Sequence, residues 1–512
     1  MLNRRRFFAA VPTGLALLNA SSRALWAMDA PSDSVALFQV HADQHSGVIP
    51  QNVMGLSYES TQLGEPEFFS LSNKVLVKFL HTLSPHGCLR LGGNTSEFTY
   101  FKPDASVNSP AWSPQPTQPK TLTPITLEAL HNLRRFLDVT GWNCIYGLNL
   151  GTGTPERAAE EAFAVTQILG SKLEYLQMGN EPNNYIRYRL RPSTWNEKYY
   201  LAEWLSFARA IVQRVPTACL AGPDMGADAA WFNLFASDAV AEMKPHIVAI
   251  TDHFYAEGPP TSPESTMHNL LLNPKKIDHE ISITATAGHH ANLPFRMTEV
   301  NSCYSGGKPG VSNTLGSALW AGDLTLKLVA SGFCGINFHG GSARQIRASL
   351  GGQMPGDTVA KSEADDSYYT PIAGSSTAGY SARPIFYGML LAARMAGFNL
   401  IAGSFAQPQA ALTAYSALSA NGKVMQIAIF NKGSQPADML LSPGKPFHVA
   451  SAIRLTGPEL EATSGIQFGG APIASDGTWN PHSVESLHRS ATGQFRITMP
   501  AGSAALVTLH QA

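Results

Sequence analysis

Short apolar runs alternate with longer amphipathic stretches between about residues 50 and 395 of the chain. In the stretch 195–215, for example, the apolar residues recur at the spacing of one helical face. This alternation is typical of strand–helix units around a parallel sheet. We count eight strand candidates, the number that closes a (β/α)8 TIM barrel: 53–58, 88–91, 143–150, 173–178, 218–222, 247–254, 295–300 and 335–338. The segment 340–382 is predicted to be a long loop of the kind that shapes a site.

The pattern changes after about residue 398, where short β-like runs such as 424–430 and 495–499 follow one another without helical stretches. This succession of short β-like runs predicts a C-terminal antiparallel β-sandwich domain. The segment 35–41 has the same character, and we expect it to complete that domain with an N-terminal strand. The expected parts of the chain are therefore a strand-forming segment, a barrel and a sandwich, at 28–49, 50–395 and 396–512.

The first 27 residues predict a signal peptide of the twin-arginine-like type. Arg4, Arg5 and Arg6 precede Phe7-Phe8 and an apolar stretch too short to span a bilayer. We therefore expect a periplasmic or secreted protein, and an uncleaved membrane anchor is the alternative. Removal of the leader's four arginines would leave 32 basic and 37 acidic residues, a net charge of -5.

Composition excludes several classes of protein. The chain is 44% hydrophobic and 14% charged, which excludes a disordered protein. Its net charge of -1 and the lack of a long basic run argue against a nucleic-acid partner. No later apolar stretch is long enough to suggest a membrane segment. The five cysteines form no CxxC pair and are expected to be mostly free and buried.

Two carboxylates follow apolar strand runs. Glu181, in Asn180-Glu181-Pro182, comes directly after the fourth run, at the end of the strand where barrel enzymes place their catalytic groups. Glu299 lies near the end of the seventh run. The alternatives are a loop turn capped by Asn180 and a structural ion pair between Glu299 and Arg296. Two carboxylates at one cleft mouth suit the cleavage of glycosides, with one as the acid and the other as the nucleophile.

Four motifs make the chain resemble a family of retaining glycosidases, glycoside hydrolase family 79, which contains β-glucuronidases and heparanase. The resemblance spans nearly the whole chain after the leader. The motifs are Arg90-Leu91-Gly92-Gly93-Asn94, Gly179-Asn180-Glu181-Pro182, Asp252-His253-Phe254-Tyr255, and Thr298-Glu299-Val300-Asn301 continuing to Gly307.

The resemblance implies a role for each of four site residues. Glu181 is the general acid/base and Glu299 the nucleophile of a double displacement. Asn180 bonds the sugar 2-hydroxyl, a contact that strengthens in the transition state. Tyr255 donates a hydrogen bond that orients the nucleophile, and a core tyrosine is the alternative for this residue.

Further substrate contacts are expected around these four residues. By resemblance, the Tyr304 hydroxyl and the Gly306 amide hold the carboxylate of a uronic acid, whereas the alternative is an ordinary glycine turn packed by a tyrosine. Glu59 and Asn94 are candidates to bond sugar hydroxyls. Lys308 is either a source of long-range attraction or a solvated charge.

The remaining candidate residues are histidines and arginines. His253, His339 and the pair His289-His290 lack the spacing of a metal site, so we predict no metal or other cofactor and interpret them as core or loop residues. Three arginines follow Glu181 closely and either contact an acidic or extended leaving group or pair with Glu197 or Glu203: Arg187, Arg189 and Arg191.

The sequence therefore predicts an exo-acting retaining β-glucuronidase that acts on glucuronate-containing carbohydrates. An endo-acting glucuronidase similar to heparanase is the first alternative, although no basic cluster favours a sulfated polymer. A glycosidase for a neutral sugar is the second. A catalytically silent carbohydrate-binding barrel is the third, and both carboxylates argue against it. The oligomeric state is not indicated.

Overall fold

The computed structural model describes residues 35–115, 118–350 and 367–511, so the predicted leader 1–27 lies outside the described residues. Eight parallel strands form a closed barrel in which each strand pairs with the next and the eighth with the first, which confirms the predicted TIM barrel. In chain order, barrel strands 1 to 8 are Met54–Glu59, Cys88–Gly92, Asn143–Leu148, Leu173–Met178, Leu220–Gly226, Ile247–Glu257, Phe295–Cys303 and Ile336–Gly340.

Helices follow the barrel strands. The helix predicted over 195–215 extends over Glu197–Arg214, and the Asn196 side chain caps it by accepting hydrogen bonds from the backbone N–H groups of Lys198 and Tyr199. Its apolar face, with Trp204, is buried. The helices are Lys74–Leu83, Leu127–Thr140, Pro155–Leu169, Glu197–Arg214, Ala229–Leu234, Val240–Met243, Met267–Leu272, Lys275–Ala291, Leu315–Ala330, Ala343–Ser349 and Pro384–Ala393; Phe235–Ala239 is a π-helical turn, and single 3-10 turns occupy Ser60–Gly64, Asn94–Phe98, Gly170–Lys172 and Pro182–Asn184.

The second domain is a largely antiparallel sheet that wraps around its own core, as a sandwich does. Nine of its ten strands form one hydrogen-bonded path, and Glu485–Leu487 pairs off this path with Val449–Thr456. Inward side chains from strands near both ends of the path, such as Met439 and Val507, share one apolar cluster. The strands are Ala36–Val48, Asn399–Phe405, Leu412–Leu418, Val424–Asn431, Ala437–Ser442, Val449–Thr456, Gln467–Phe468, Glu485–Leu487, Phe495–Met499 and Ser503–His510.

The N-terminal strand belongs to this second domain, as predicted. Ala36–Val48 pairs antiparallel with Asn399–Phe405 and parallel with Ala437–Ser442. Its inward residues, including Phe38 and Val40, are buried in the same apolar cluster. The chain thus begins its described part in the sheet domain, forms the barrel, and returns to the sheet.

The segment 340–382 contains regular structure, so its interpretation as a long loop is wrong in the described part. Ala343–Ser349 is helical, and Ile372–Ser375 pairs antiparallel with Gly379–Ala382. A second small ladder joins Thr99–Lys102 to Thr123–Thr126 in parallel. The helix beside the barrel mouth supplies part of the wall of the site.

Two simpler expectations concern membranes and cysteines. Within the described ranges, no helix is both long and apolar enough to cross a membrane. All five cysteines are free, and Cys88, Cys144 and Cys303 are buried, whereas Cys219 is exposed. The expectation of mostly free and buried thiols is confirmed.

Candidate active site

A cavity of about 460 Å³ lies at the barrel mouth formed by the carboxyl ends of the strands. Its size is within the usual range for small-molecule sites. Six of the eight residues predicted to act in catalysis or to bind the sugar line it, which are Glu59, Asn94, Glu181, Tyr255, Glu299 and Tyr304. Its other lining residues are Asn184, Arg187, Tyr188, Ser305, His339, Ser349, Leu350 and Tyr369.

The two predicted catalytic carboxylates are close together. A carboxylate oxygen of Glu181, one of Glu299 and a ring nitrogen of His253 all lie within 4.8 Å of one another. Retaining glycosidases hold their two carboxyl groups about 5–5.5 Å apart, whereas inverting ones need about 6.5–9.5 Å to admit a water. The separation therefore fits direct attack by one of the two carboxylates.

Glu299 is aimed into the cavity by an irregularity in barrel strand 7. The register with strand 6 shifts between Met297 and Glu299, which re-aims side chains at the end of the strand. The Thr298 hydroxyl then bonds Asp224 Oδ1 at 2.9 Å. Arg296 donates instead to Asn337 Oδ1 at 2.7 Å, so the alternative of an Arg296–Glu299 ion pair is wrong.

The Glu299 carboxylate is buried and fully paired. Oε2 accepts from Arg90 Nη1 at 2.6 Å, and Oε1 accepts from the Tyr255 hydroxyl at 2.7 Å. Burial alone would raise the pKa of this carboxyl, but the charges of His339, His253 and Arg90 together with the Tyr255 bond outweigh it and hold the pKa below its ordinary value. Glu299 is thus kept ionised, as a nucleophile must be.

Arg90 connects both carboxylate-bearing strands. This side chain is completely buried and donates through Nη2 to Asn180 Oδ1 at 2.8 Å and to Asp224 Oδ2 at 2.7 Å. The same guanidinium pairs with Glu299 through Nη1. Burial lowers the pKa of Arg90, yet the carboxylates of Asp224 and Glu299 raise it above its ordinary value, so the charge persists. Arg90 thereby fixes Asn180 relative to Glu299, the predicted nucleophile.

Glu181 lies just past strand 4 in a left-handed backbone conformation, with φ 47°. Its backbone N–H donates to the Asp224 carbonyl at 2.9 Å. Oε2 accepts from Asn184 Nδ2 at 2.9 Å and lies 3.4 Å from the Tyr188 hydroxyl. Non-glycine residues in this conformation cluster at functional sites, because the surrounding structure must hold them there. A turn does follow, since Pro182–Asn184 is a 3-10 turn, but no side chain caps it and Asn180 Oδ1 accepts from Arg90 instead.

His253 lies between Glu181 and Asp224; it is buried, as interpreted, but its partners are carboxylates of the candidate site. Nε2 donates to Asp224 Oδ1 at 2.9 Å, and Nδ1 lies 3.4 Å from Glu181 Oε1. Burial lowers the pKa of His253, but the charges of Asp224 and Glu299 raise it to about 9. The ring is therefore an imidazolium at neutral pH, and it directs a positive charge at the predicted acid/base.

His339 is likewise part of the site. Its Nδ1 lies 3.1 Å from the Ser57 hydroxyl and 3.8 Å from Glu299 Oε2, and its Nε2 lies 3.3 Å from Glu59 Oε1. Burial lowers the pKa of His339, and the neighbouring carboxylates raise it above the ordinary value. Glu59 in turn accepts from the Thr95 backbone N–H at 2.9 Å. The exposed pair His289-His290 lies on the helix Lys275–Ala291, where no such partners are found in the described chain.

Glu97 is a buried carboxyl beneath the cavity that the sequence did not single out. It accepts hydrogen bonds from the backbone N–H groups of Asn180 and Gly151, both at 2.5 Å, and from the Tyr185 hydroxyl at 2.6 Å. Burial raises the pKa of Glu97 to about 7 despite these three donors. Because it holds the amide of Asn180, Glu97 positions the segment that carries Glu181, the predicted acid/base.

The residues predicted to bind a uronate are only partly brought together. Tyr304 lines the cavity, with its ring 6.4 Å from that of Tyr255 in an edge-to-face contact. Gly306 is buried next to the lining residue Ser305, and its carbonyl accepts from the Tyr368 backbone N–H at 2.8 Å. Lys308 Nζ donates a hydrogen bond to the Ser265 carbonyl at 2.7 Å, so this side chain holds the loop that contains Ser265.

The three arginines after Glu181 divide between the two alternatives. Arg191 pairs with Glu203 and its guanidinium lies over the rings of Tyr185 and Trp195. Arg187 lines the cavity instead. Arg191 therefore forms the ion pair of the second alternative, whereas Arg187 lies where a substrate could contact it.

Glu181, His253 and Glu299 are also a set whose ligand atoms are close enough to hold a metal ion. The guanidinium of Arg90 already occupies Glu299 Oε2, and His253 carries a proton that a metal would have to displace. These positive charges disfavour a cation at this position. The donor set fits the acid–base chemistry of two carboxylates better than metal ligation.

Comparison with known proteins adds independent evidence. No protein-family model matches the chain. It is 27% identical to a β-glucuronidase of Aspergillus niger over 306 residues, 55% of each chain, and 25% identical to a β-glucuronidase of Neurospora crassa over 288 residues, 50% of each chain. The chain thus spans about half the length of the curated relatives it matches.

The fold is also found in a solved structure. A 4-O-α-L-rhamnosyl-β-D-glucuronidase from Fusarium oxysporum superposes with a TM-score of 0.69 at 18% identity, over 92% of this chain and all of the other. This likeness concerns the architecture of a barrel with an attached β-domain. The chain is therefore similar in sequence to β-glucuronidases and shares its fold with a glycosidase.

Proposed function

We propose that the protein is a retaining β-glucuronidase that removes terminal glucuronate from carbohydrates or glycoconjugates. The observation that carries the proposal is the pair Glu181 and Glu299, with carboxylate oxygens within 4.8 Å in a cavity at the barrel mouth. The sequence similarity to two fungal β-glucuronidases supports the substrate class. Family 79 is the proposed placement, on the motifs around these two residues.

In the first step, ionised Glu299 attacks the anomeric carbon while the carboxyl of Glu181 gives its proton to the departing oxygen. The bond from the sugar to the leaving group breaks as the bond to Glu299 forms. In the second step, Glu181 takes a proton from water, and the resulting hydroxide displaces Glu299. Tyr255 and Arg90 hold the nucleophile in place throughout.

The contacts around Asn180 suit stabilisation of the transition state. The Oδ1 of Asn180 accepts a hydrogen bond from Arg90, and the Nδ2 of Asn180 lies 3.3 Å from Asn94 Oδ1. The Asn180 amide is therefore held rigidly beside Glu181. We assign it the 2-hydroxyl of the sugar. Glu59 and Asn94, which line the cavity, are assigned to the other hydroxyl groups.

Tyr304 and the backbone near Ser305 and Gly306 are assigned to the sugar carboxylate. The phenol is a neutral donor, and backbone N–H groups at left-handed positions form anion-binding concavities. Ser305 and Gly306 both have this geometry, with φ of 59° and 83°. His339 also lines the cavity, and the carboxylates of Glu299 and Glu59 raise its pKa, which favours its charged form.

Hydrolysis of 4-nitrophenyl β-glucuronide and 4-nitrophenyl β-glucoside tests this substrate class. We expect a clear preference for the glucuronide, and Tyr304→Phe should reduce that preference by weakening the glucuronide reaction alone. Preference for the glucoside would contradict the assignment of the carboxylate site. With a long uronate polymer, early release of mid-chain fragments would contradict exo action.

We further propose that residues 1–27 are an export signal that is removed. The arginine-rich start and the short apolar stretch support this proposal. The N-terminal sequence of protein recovered from outside the cytoplasm tests it. A start near residue 28 is expected, and an intact leader would contradict cleavage.

A further inference from the structure

We propose that Arg187 forms part of the binding site for the leaving group, and that the preferred leaving group carries a negative charge. This inference rests on the proposed function and specifies the class of substrate for the same cavity. It follows from the position of the acid, the charge of Arg187 and the contacts of its neighbours in the chain.

The acid determines where the leaving group lies. Glu181 must reach the oxygen of the bond that breaks, so the leaving group lies against the residues that surround the Glu181 carboxyl. His253 lies 3.4 Å from Oε1 of that carboxyl and is buried, whereas Asn184 and Tyr188 contact Oε2 at 2.9 and 3.4 Å and line the cavity. Arg187 comes between them in the chain and lines the same cavity. The sugar lies on the other side, where Tyr255 and His339 surround the nucleophile.

The positive charge of Arg187 has no acidic partner among the described residues. The neighbouring arginine of the same segment, Arg191, pairs with Glu203, whereas Arg187 is exposed toward the cavity without an ion pair in the described ranges. The next residue in the chain, Tyr188, has its hydroxyl 3.4 Å from Glu181 Oε2 and lines the same cavity. Arg187 is thus a free cation next to the acid/base.

A neutral leaving group would cover the Arg187 guanidinium and displace some of the water that solvates it, without offering a charged partner in place of that water. An anionic group replaces that water with a charge-assisted, bidentate contact, for which a guanidinium is well shaped. A carboxylate or sulfate on the leaving group therefore matches the cavity better than a hydroxyl or an apolar ring.

The test compares Arg187→Gln with the wild type on 3- and 4-carboxyphenyl β-glucuronides. The neutral counterparts are the same compounds with a methyl ester on the phenyl carboxyl and a free carboxylate on the sugar. Arg189→Gln is the matched control, because Arg189 is an exposed arginine of the same segment that does not line the described cavity. In Arg187→Gln, kcat/KM should fall about three- to tenfold for at least one acid and less than about twofold for its ester. In the wild type, added salt should reduce the preference for that acid.

Equal losses on acid and ester, or no loss on either acid, would overturn the role of Arg187. So would an equal effect of Arg189→Gln. If the wild type hydrolysed neither glucuronide while cleaving a glucoside, the proposed function itself would be wrong, and the inference would fall with it. The wild-type rates on the esters thus separate failure of this inference from failure of the function.

Discussion

The guanidinium of Arg90 lies 2.6 Å from the carboxylate of Glu299, and both side chains are buried. The same arginine holds Asn180 and Asp224, so one cation connects the proposed nucleophile to the segment that carries the proposed acid/base. The geometry of the site therefore depends on a network of buried charges, in which loss of one partner leaves another charge buried and unpaired.

Removal of the Arg90 charge is expected to destabilise the fold. Arg90→Met leaves Glu299 and Asp224 without their buried partner, which should reduce the free energy of unfolding by about 3–5 kcal/mol. Urea unfolding measures this change. Arg209→Met, which breaks the exposed ion pair with Glu242, is the control and should cost at most about 1 kcal/mol. Equal losses in the two variants would show that the Arg90 network is not stabilising.

Tyr255→Phe should slow the chemical step without abolishing it. The change removes the 2.7 Å hydrogen bond to Glu299 Oε1, and a bond to a charged group is worth about 1.5–3 kcal/mol. We expect kcat to fall roughly 10- to 100-fold. Tyr146→Phe removes a buried hydrogen bond to Glu161 away from the cavity and should leave kcat nearly unchanged. A Tyr255→Phe enzyme with normal kcat would make Tyr255 a core residue only.

Glu181→Gln should impair substrates in proportion to the basicity of their leaving group. A basic leaving oxygen needs a proton from Glu181, whereas a weakly basic one departs without it. We expect kcat/KM to fall roughly 100-fold or more for a 4-methylphenyl glucuronide and much less for a 2,4-dinitrophenyl glucuronide. Equal losses on the two substrates would argue that Glu181 is not the acid.

The stability of the protein should depend on pH through His253. Its pKa is raised from 6.5 to about 9 in the folded state, so its contribution is fully present below pH 6.5 and is lost as pH rises through about 9. The free energy of unfolding should therefore decline more steeply between pH 6.5 and 9 in the wild type than in His253→Gln. His290→Gln, at an exposed position, serves as the control. Parallel curves for the wild type and His253→Gln would contradict a charged His253.

The parts of the molecule that follow from local pattern could be predicted from the sequence. Apolar runs alternating with helical stretches are sufficient for the barrel, and Glu181 and Glu299 could be found because each follows or ends such a run. The β-like pattern of the segment 35–41, which matches that of the C-terminal domain, predicts the N-terminal strand, and the observed strand Ala36–Val48 is longer.

The charge network could not be predicted in the same way. In the sequence, Arg90 and His253 stand out only as parts of motifs and Asp224 does not stand out, although each lies in a buried strand where a charge requires a partner. That signal indicates that partners exist, but which residues pair depends on the register and closure of the barrel. Glu97 lies in a short 3-10 turn, and only the tertiary structure places it under Asn180.

The most direct test of the account is to trap the covalent intermediate. A 2-deoxy-2-fluoro-β-glucuronyl fluoride should inactivate the enzyme, because fluorine at the 2-position slows both steps and the fluoride leaving group favours the first. Mass spectrometry of the digested protein should then show one fluoroglucuronyl group on the peptide that contains Glu299. Attachment to another residue, or turnover with inversion and no adduct, would contradict the assignment of Glu299 as the nucleophile of a retaining glucuronidase.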